Sequence, residues 1–295
     1  MEQDQTQPRQ VQGVSCPLPH THTETVVIGH GSGGSMTQDL IRNIFQSQIG
    51  NEILAEGNDA ARLRFSDQAG GLAISTDSHV VSPLFFHGGD IGRLAVAGTV
   101  NDVAMLGAKP AFLTAGFILE EGFPMADLKR IIKSIAETCQ EAGVQIIAGD
   151  TKVVEKGKAD GIYINTAGFG LITEGRKIGG QFAKPGDAVL ISGTLGEHSI
   201  AVLEARGELG FESGIQSDVA PLNHMIKELL DLIPEVHVLR DPTRGGLATS
   251  LNEIACQSQV SIHLTEGDIP IKPNVRIACE MLRFDPLYLA NEGKV

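Results

Sequence analysis

From residue 25 almost to the last residue, short apolar runs of strand length alternate with longer segments of helical period. That alternation most limits the possible folds, because it requires a sheet covered by helices. ETVVIG (24–29), GLAIST (71–76), PAFLTAGFIL (110–119), VQIIAG (144–149) and GIYINTAGFGLI (161–172) read as strands. Met36, Leu40, Ile41, Ile44, Phe45 and Ile49 fall on one helical face, and residues 91–106 form a second helical segment. The clearest helix is 125–142, with Leu128, Ile131, Ile132, Ile135, Ala136 and Cys139 on one face and Gly143 to end it. The stretch EGRKIGGQFAKPGD (174–187) breaks the pattern and marks a domain boundary. Beyond it the spacing predicts strands at 188–192, 236–240 and 260–264, helices near 197–208, 221–232, 245–257 and 273–283, and the start of another strand in PLYLANEGKV. The expected organisation is a tail over 1–24, an N-terminal domain over 25–175 and a C-terminal α/β domain over 185–295.

A length of 295 residues allows a full core and about two domains. The formal net charge of −13 argues against nucleic acid and anionic membranes as partners. A nucleotide stays open to such a chain if a cation and backbone N–H groups offset the charge. Cys16, Cys139, Cys256 and Cys279 form neither a disulfide framework nor a zinc motif. The first residues lack a basic segment followed by an apolar run, and no run is long enough to span a bilayer, so the expected location is the cytoplasm. In the polar tail, CPLPHTH brings Cys16, His20 and His22 close together; without a second ligand cluster it reads as a solvated segment.

The chain contains neither a GxxxxGK[ST] phosphate loop nor a strand followed by GxGxxG and a downstream acid. Three aspartates lie among small residues at element edges: Asp77 in AISTDSHV, Asp102 in GTVNDVAMLGA and Asp150 in IIAGDTKVV. Acids at strand ends are where α/β sites collect, and converging carboxylates suit Mg²⁺. Taken singly, each is equally a helix cap or a turn residue. VIGHGSGGSM puts Gly31, Ser32, Gly33 and Gly34 ahead of a helix. SGTLGEHSIA and LRDPTRGGLATS likewise run into helices, the latter with Arg240, Arg244, Gly245 and Gly246. Free N–H groups at helix starts bind phosphate, although a tight turn is the alternative for each loop.

GHGSGG, STDS, FFHGGDIG, NDVAMLGAKP, GFILEEG, GDTKVV, INTAGFG, SGTLGEHS, DPTRGG and ANEGK occur in order from residue 29 onward. Together they closely resemble the HypE family of hydrogenase maturation proteins, the carbamoyl dehydratases. These share a superfamily with aminoimidazole ribonucleotide synthetase, selenide water dikinase and thiamine-monophosphate kinase. The resemblance implies a two-domain α/β fold of α+β type, whose N-terminal sheet pairs with a second subunit in a barrel-like homodimer. It implies ATP and Mg²⁺ in a cleft. The reaction it implies is ATP-dependent dehydration of a carbamoyl group, held on a C-terminal cysteine, to a thiocyanate that supplies cyanide to a NiFe-hydrogenase. The implied partners are a carbamoyl transferase and an iron-carrying scaffold protein. Carried onto this sequence, Asp77, Asp102 and Asp150 match the Mg²⁺ acids, and Asn101, Asp102, Asp150, Thr151, Arg244, Gly245 and Gly246 the nucleotide contacts. Gly31, Ser32, Gly33 and Gly34 match a flap over the nucleotide. Lys152 would stabilise charge on the carbamoyl oxygen or the moving phosphoryl group, and Glu292 would accept a proton from the carbamoyl nitrogen.

The family's proline- and arginine-containing tail with its terminal cysteine has no counterpart before Val295. The expectation is a truncated form that binds ATP without turnover in cis, its C-terminal domain incomplete. Two other readings stand beside this one. Selenophosphate synthesis would want a reactive Cys or selenocysteine in the glycine loop, where His30 and Ser32 stand. A non-enzymatic metal-binding or scaffolding role would use CPLPHTH.

Overall fold

The computed structural model describes residues 24–31, 35–52, 69–210 and 214–295. Ser32, Gly33, Gly34 and the CPLPHTH segment therefore lie outside the described residues.

The N-terminal half is built on one four-stranded sheet. Its strands are β1 (Ala69–His79), β4 (Ala108–Glu120), β5 (Gln145–Val154) and β6 (Ile162–Thr173), in the order β1-β6-β4-β5. Only β4 and β5 are parallel. The crossover between them is the amphipathic helix α3 (Met125–Ala142), since parallel neighbours need a long connection. Leu128, Ile131, Ile132 and Ile135 bury its inner face, and Gly143 closes it at φ 68°. A minor two-stranded ribbon, β2 (Phe85–Phe86) with β3 (Gly89–Asp90), leads into α2 (Ile91–Met105). The Asp90 carboxylate caps α2 by accepting from the N–H groups of Gly92 at 2.7 Å and Arg93 at 3.1 Å. Almost every side of α2 is buried, because it lies between the sheet, α3 and the C-terminal half. Close approach to the sheet requires glycine on β6: a Cβ at Gly168 would stand 2.7 Å from Thr99 and 2.9 Å from Val103.

The first helix is α1, Ser35–Leu40, continuing through a π-helical turn at Ile41–Gln46 to Ser47–Ile49. It buries Leu40, Ile44 and Phe45, the last tilted against Phe117 with ring centroids 4.9 Å apart. The expected strand over ETVVIG shrinks to a bridge between Thr25 and Pro124. The reason is local: the Val27 N–H donates to His30 Nδ1 at 3.0 Å and the His30 N–H to Val27 O at 2.9 Å, folding the chain into a 3₁₀ turn.

The helices expected in the C-terminal half are present as α4 (Glu197–Ala205), α5 (Asn223–Leu232), α6 (Gly246–Ser258) and α7 (Pro273–Leu282). The expected strands at 188–192, 236–240 and 260–264 are not: among the described residues after Thr173 no strand forms. PLYLANEGKV likewise holds a 3₁₀ turn at Pro286–Tyr288 instead of a strand. Alternation alone does not make a strand, which needs a neighbour to continue the ladder. Here the extended segments meet only at single bonds, such as Ser192 N–H to Val295 O and Gly179 N–H to His237 O. Val189 and Leu190 are left 50% and 82% exposed. The halves are joined by two apolar clusters on α2. Ala104 and Met105 pack with Ile178, Leu222 and Ile226; Leu94 and Ala97 pack with Phe86, Val202 and Val219.

Among the described residues the sheet is open, with β1 and β5 as its edges, and no barrel closes within one chain. Its face away from the helices exposes Leu72, Ile74 and Ile118. Among the described residues no helix is long and apolar enough to cross a membrane.

Candidate active-site cleft

Carboxylates from the two halves meet beside α2. Asp77 lies inside β1, which runs on to His79 instead of ending before the acid. Period-2 alternation sends Ala73, Ser75, Asp77 and His79 to the helix side of the sheet, where Asp102 projects from α2. The Ser75 hydroxyl donates to Asp102 Oδ2 at 2.8 Å. Burial raises the Asp102 carboxyl above its ordinary value, the Ser75 bond opposes this, and the Asp77 charge adds to it. From the other half comes Asp241, 8% exposed, which burial pushes up to about 6 with Asp102 adding. Glu292 is pushed up to about 8, first by burial and then by Asp241, Asp218, Asp77 and Asp102. Arg240 and Arg244 bring positive charge to these acids; the Arg244 guanidinium stands 3.5 Å from Asp77 Oδ1 with its side chain 91% exposed. Behind this row His79 is buried, with Nε2 3.1 Å from the Thr166 hydroxyl; burial lowers its pKa, and Asp77 opposes that shift.

The ANEGK segment is held by a dense set of hydrogen bonds. Asn291, 1% exposed, accepts from Gly196 N–H at 2.7 Å and donates to Pro242 O at 3.2 Å, tying the SGTLGEHS loop to the DPTRGG loop. The Asp218 carboxylate accepts from the N–H groups of Glu292 at 3.1 Å and Gly293 at 3.2 Å, and pairs with Lys294 at 3.4 Å. Gly293 must be glycine, since a Cβ would fall 1.8 Å from Asp218 O. Asn101, expected at a phosphate or metal, is buried and satisfied by backbone. Its amide donates to Ala220 O at 3.0 Å and Glu292 O at 3.4 Å and accepts from Leu222 N–H at 2.8 Å. It fixes the main chain of Glu292, and its amide atoms are not free for a ligand. At the start of α4 the Gly196 N–H is likewise taken, by Asn291.

Asp150, Thr151 and Lys152 follow one another on β5, at the opposite edge from Asp77. The register sets Asp77 beside Thr166, Thr166 beside Ala115 and Ala115 beside Gly149, three strand spacings or about 14 Å across. Asp150 and Lys152 pair with Gly116 and Ile118 on the face away from the helices, whereas Thr151 turns with Phe117 toward them. The three aspartates therefore do not converge in one chain: Asp77 and Asp102 come together and Asp150 does not. Gly245 and Gly246 open α6 at φ 78° and 59°, and a Cβ at Gly246 would stand 2.5 Å from Leu287 O. Gly31 ends the turn Ile28–Gly31.

Asp241 and Lys294 lie in the DPTRGG and ANEGK motifs without being expected site residues, and Asp218 lies in no motif. Asp218 sits in a segment without periodicity, and nothing local marks it. Asp241 was legible as the acid of DPTRGG.

Magnesium and a nucleotide fit the donor chemistry here. The carboxylates crowd one another, and those of Asp102, Asp241 and Glu292 are raised, the condition a divalent cation relieves. Among the described residues no group of three His, Cys, Asp or Glu is close enough to hold a metal alone. Mg²⁺ needs only one or two carboxylates when phosphate oxygens and waters complete its shell, so the Asp77–Asp102 pair suffices.

Residues 57–172 match the family described as AIR synthase related protein, N-terminal domain, and residues 184–295 match its C-terminal domain. A carbamoyl dehydratase HypE from Cupriavidus necator is 56% identical over 269 residues, covering 91% of this chain and 76% of the relative. The crystal structure of a hydrogenase maturation protein HypE in complex with ATP superposes with a TM-score of 0.88 at 51% identity, over 92% of this chain and 80% of that one. A chain of the HypE–HypF complex gives a TM-score of 0.74 at 55% identity, over 86% of this chain and 82% of that one. With both domains matched in order and more than half of the aligned residues identical, the chain belongs to the HypE family of carbamoyl dehydratases, within the AIR synthase related proteins.

Proposed function

We propose that this protein uses ATP, with Mg²⁺, to dehydrate a carbamoyl group held on a cysteine sulfur to a thiocyanate, a source of cyanide for NiFe-hydrogenase maturation. The observation that carries the reading is the meeting of Asp77 and Asp102 with Asp241 and Glu292 across the two halves of the chain. The likeness to a HypE structure containing ATP supports the cofactor.

Bound Mg-ATP supplies the phosphoryl group that turns the carbamoyl oxygen into a leaving phosphate. Asp77 and Asp102 hold the cation, and Arg244 meets the phosphates. The turn at Gly245 and Gly246 sets the angle of Arg244. The chain's task is positioning and charge stabilisation, the main needs of phosphoryl transfer. Glu292 takes the proton from the carbamoyl nitrogen. With its pKa raised to about 8, Glu292 holds a proton at neutral pH until the bound cation favours the carboxylate, and that carboxylate is then a strong enough base for the task. The carrier is the terminal cysteine that the family resemblance implies. Cys139 and Cys279 are buried, and burial pushes the Cys139 thiol up to about 12 and raises that of Cys279. The carbamoyl group arrives from a carbamoyl transferase, a partner supported by the likeness to the HypE–HypF complex, and the cyanide leaves to an iron-carrying scaffold.

Lys152 stabilises the transferring charge, but it sits on the far edge of the sheet from Asp77 and on the opposite face. A site that uses both draws Lys152 from a second copy. The homodimer forms through the apolar sheet face at Leu72, Ile74 and Ile118, which are 46%, 59% and 43% exposed. Asp150 belongs with Lys152 on that face. Ile74→Asp should convert a dimer to a monomer in sedimentation velocity; an unchanged species would rule this face out.

The function is tested by calorimetric titration of the chain with ATP, with and without Mg²⁺. Magnesium-dependent binding that Asp77→Asn weakens at least about 100-fold is expected, a loss of roughly 2.7 kcal/mol. Equal binding by the variant would remove Asp77 from the cleft.

A further inference from the structure

The sequence Lys184-Pro185-Gly186-Asp187 carries a second cluster of reactive groups, apart from the carboxylate cleft. Proline and glycine make it a tight turn, with Gly186 at φ 97° and Asp187 N–H donating to Lys184 O at 3.1 Å. The turn places both of its ends against His237. Asp187 Oδ2 accepts from the Lys184 backbone N–H at 2.8 Å and from His237 Nδ1 at 2.9 Å. The other ring nitrogen, Nε2, accepts from Lys184 Nζ at 3.1 Å. The Lys184 backbone N–H first, and His237 second, hold the Asp187 carboxyl below its ordinary value, so it stays ionised. An ionised Asp187 keeps the ring proton on Nδ1 and leaves Nε2 as the acceptor. This is the order nucleophile, base, orienting acid that marks an activated side chain. The His237 and Asp187 side chains are 29% and 35% exposed and Lys184 is exposed, so a small reagent reaches all three.

We propose that Asp187 and His237 make Lys184 a preferred nucleophile, and that Lys184 Nζ is a modification site for acyl phosphates. His237 Nε2 takes one ammonium proton, and the freed lone pair attacks the acyl carbonyl. The C–N bond forms, the C–O bond to phosphate breaks, and phosphate leaves with the electron pair and the second nitrogen proton. The product is a neutral amide on the turn that joins the two halves of the chain, and His237 loses its cationic partner.

The test uses the whole protein and acetyl phosphate, with site occupancy followed over time by peptide mass spectrometry. Lys156 and Lys158, exposed on a turn without such a base, are internal controls. Lys184 should be acetylated about ten-fold faster than either, less than the 10²–10⁴ of a buried catalytic base because the site is wet. His237→Gln should bring Lys184 down to the control rate, and Asp187→Asn should slow it partway. Lys184 reacting no faster than Lys156 and Lys158 in the unaltered protein would overturn the proposal without any variant. So would an unchanged Lys184 rate in His237→Gln, folded by circular dichroism.

Discussion

Replacing Asp218 by alanine should destabilise the protein by about 3–5 kcal/mol, the cost of leaving one member of a buried ion pair alone. Its side chain is 3% exposed and carries three partners at once: the N–H groups of Glu292 and Gly293, and the Lys294 ammonium, itself only 15% exposed. Alanine leaves that ammonium and two N–H groups without an acceptor where water reaches poorly. Against a total stability of about 5–15 kcal/mol the loss is a large fraction. Urea denaturation of Asp218→Ala beside the parent measures it. Asp218→Asn keeps one acceptor and should fall between them. A loss below about 1 kcal/mol in the alanine variant would mean that the NEGK segment is held by Asn291 and Asn101 alone.

Glu292→Gln should stabilise the protein in alkaline solution and do little in acid. In the native fold burial and four neighbouring carboxylates push Glu292 up to about 8, whereas an unfolded glutamate titrates at about 4.3. Between those values the native state holds a proton that the unfolded state has released. Stability contributed by this group is therefore full below about pH 4, falls as pH rises through the window, and levels off above about 8. Glutamine keeps the shape and abolishes that slope. Denaturation midpoints of parent and variant should nearly coincide at acid pH and separate by pH 8.5, with the variant higher. A separation independent of pH would show that Glu292 does not titrate in this window. The same linkage means that Mg-ATP binding near pH 7 releases protons, because the cation favours the ionised carboxylates.

The N-terminal half was largely legible because its elements carry strong, long periods. β4, β5, β6 and α3 appear close to where alternation and the helical stripe put them, and Gly143 ends α3 as its position suggested. The extended segments of the C-terminal half misled because local alternation at 188–192, 236–240 and 260–264 says only that a chain can be extended. Whether it becomes a strand depends on a partner distant in sequence. The cleft was half legible. The acids of TDS and NDVA do meet, and NEGK does bring Glu292 to them. Asp150 looked equivalent to Asp77 because both follow a strand-like run. The face each occupies depends on register, and the extra residue Ile147 on β5, opposite Leu113 and Thr114 of β4, helps set it. Asn101 looked like a ligand because its side chain is polar and stands beside Asp102; only the fold brings Ala220, Leu222 and Glu292 to its amide.

Sequence by itself determined the alternation of strands and helices in the N-terminal half, the acidity that calls for a cation, and the ordered motifs that mark the family. These depend on residue type and short spacing, which a chain carries without being folded. Only the tertiary structure decided that Asp218 clamps Glu292, that Asp241 joins Asp77 and Asp102, and that Lys152 stands on the opposite face of the sheet. Those facts link residues from separate elements, most of them many residues apart in the chain. Packing and strand register alone bring such residues together or hold them apart.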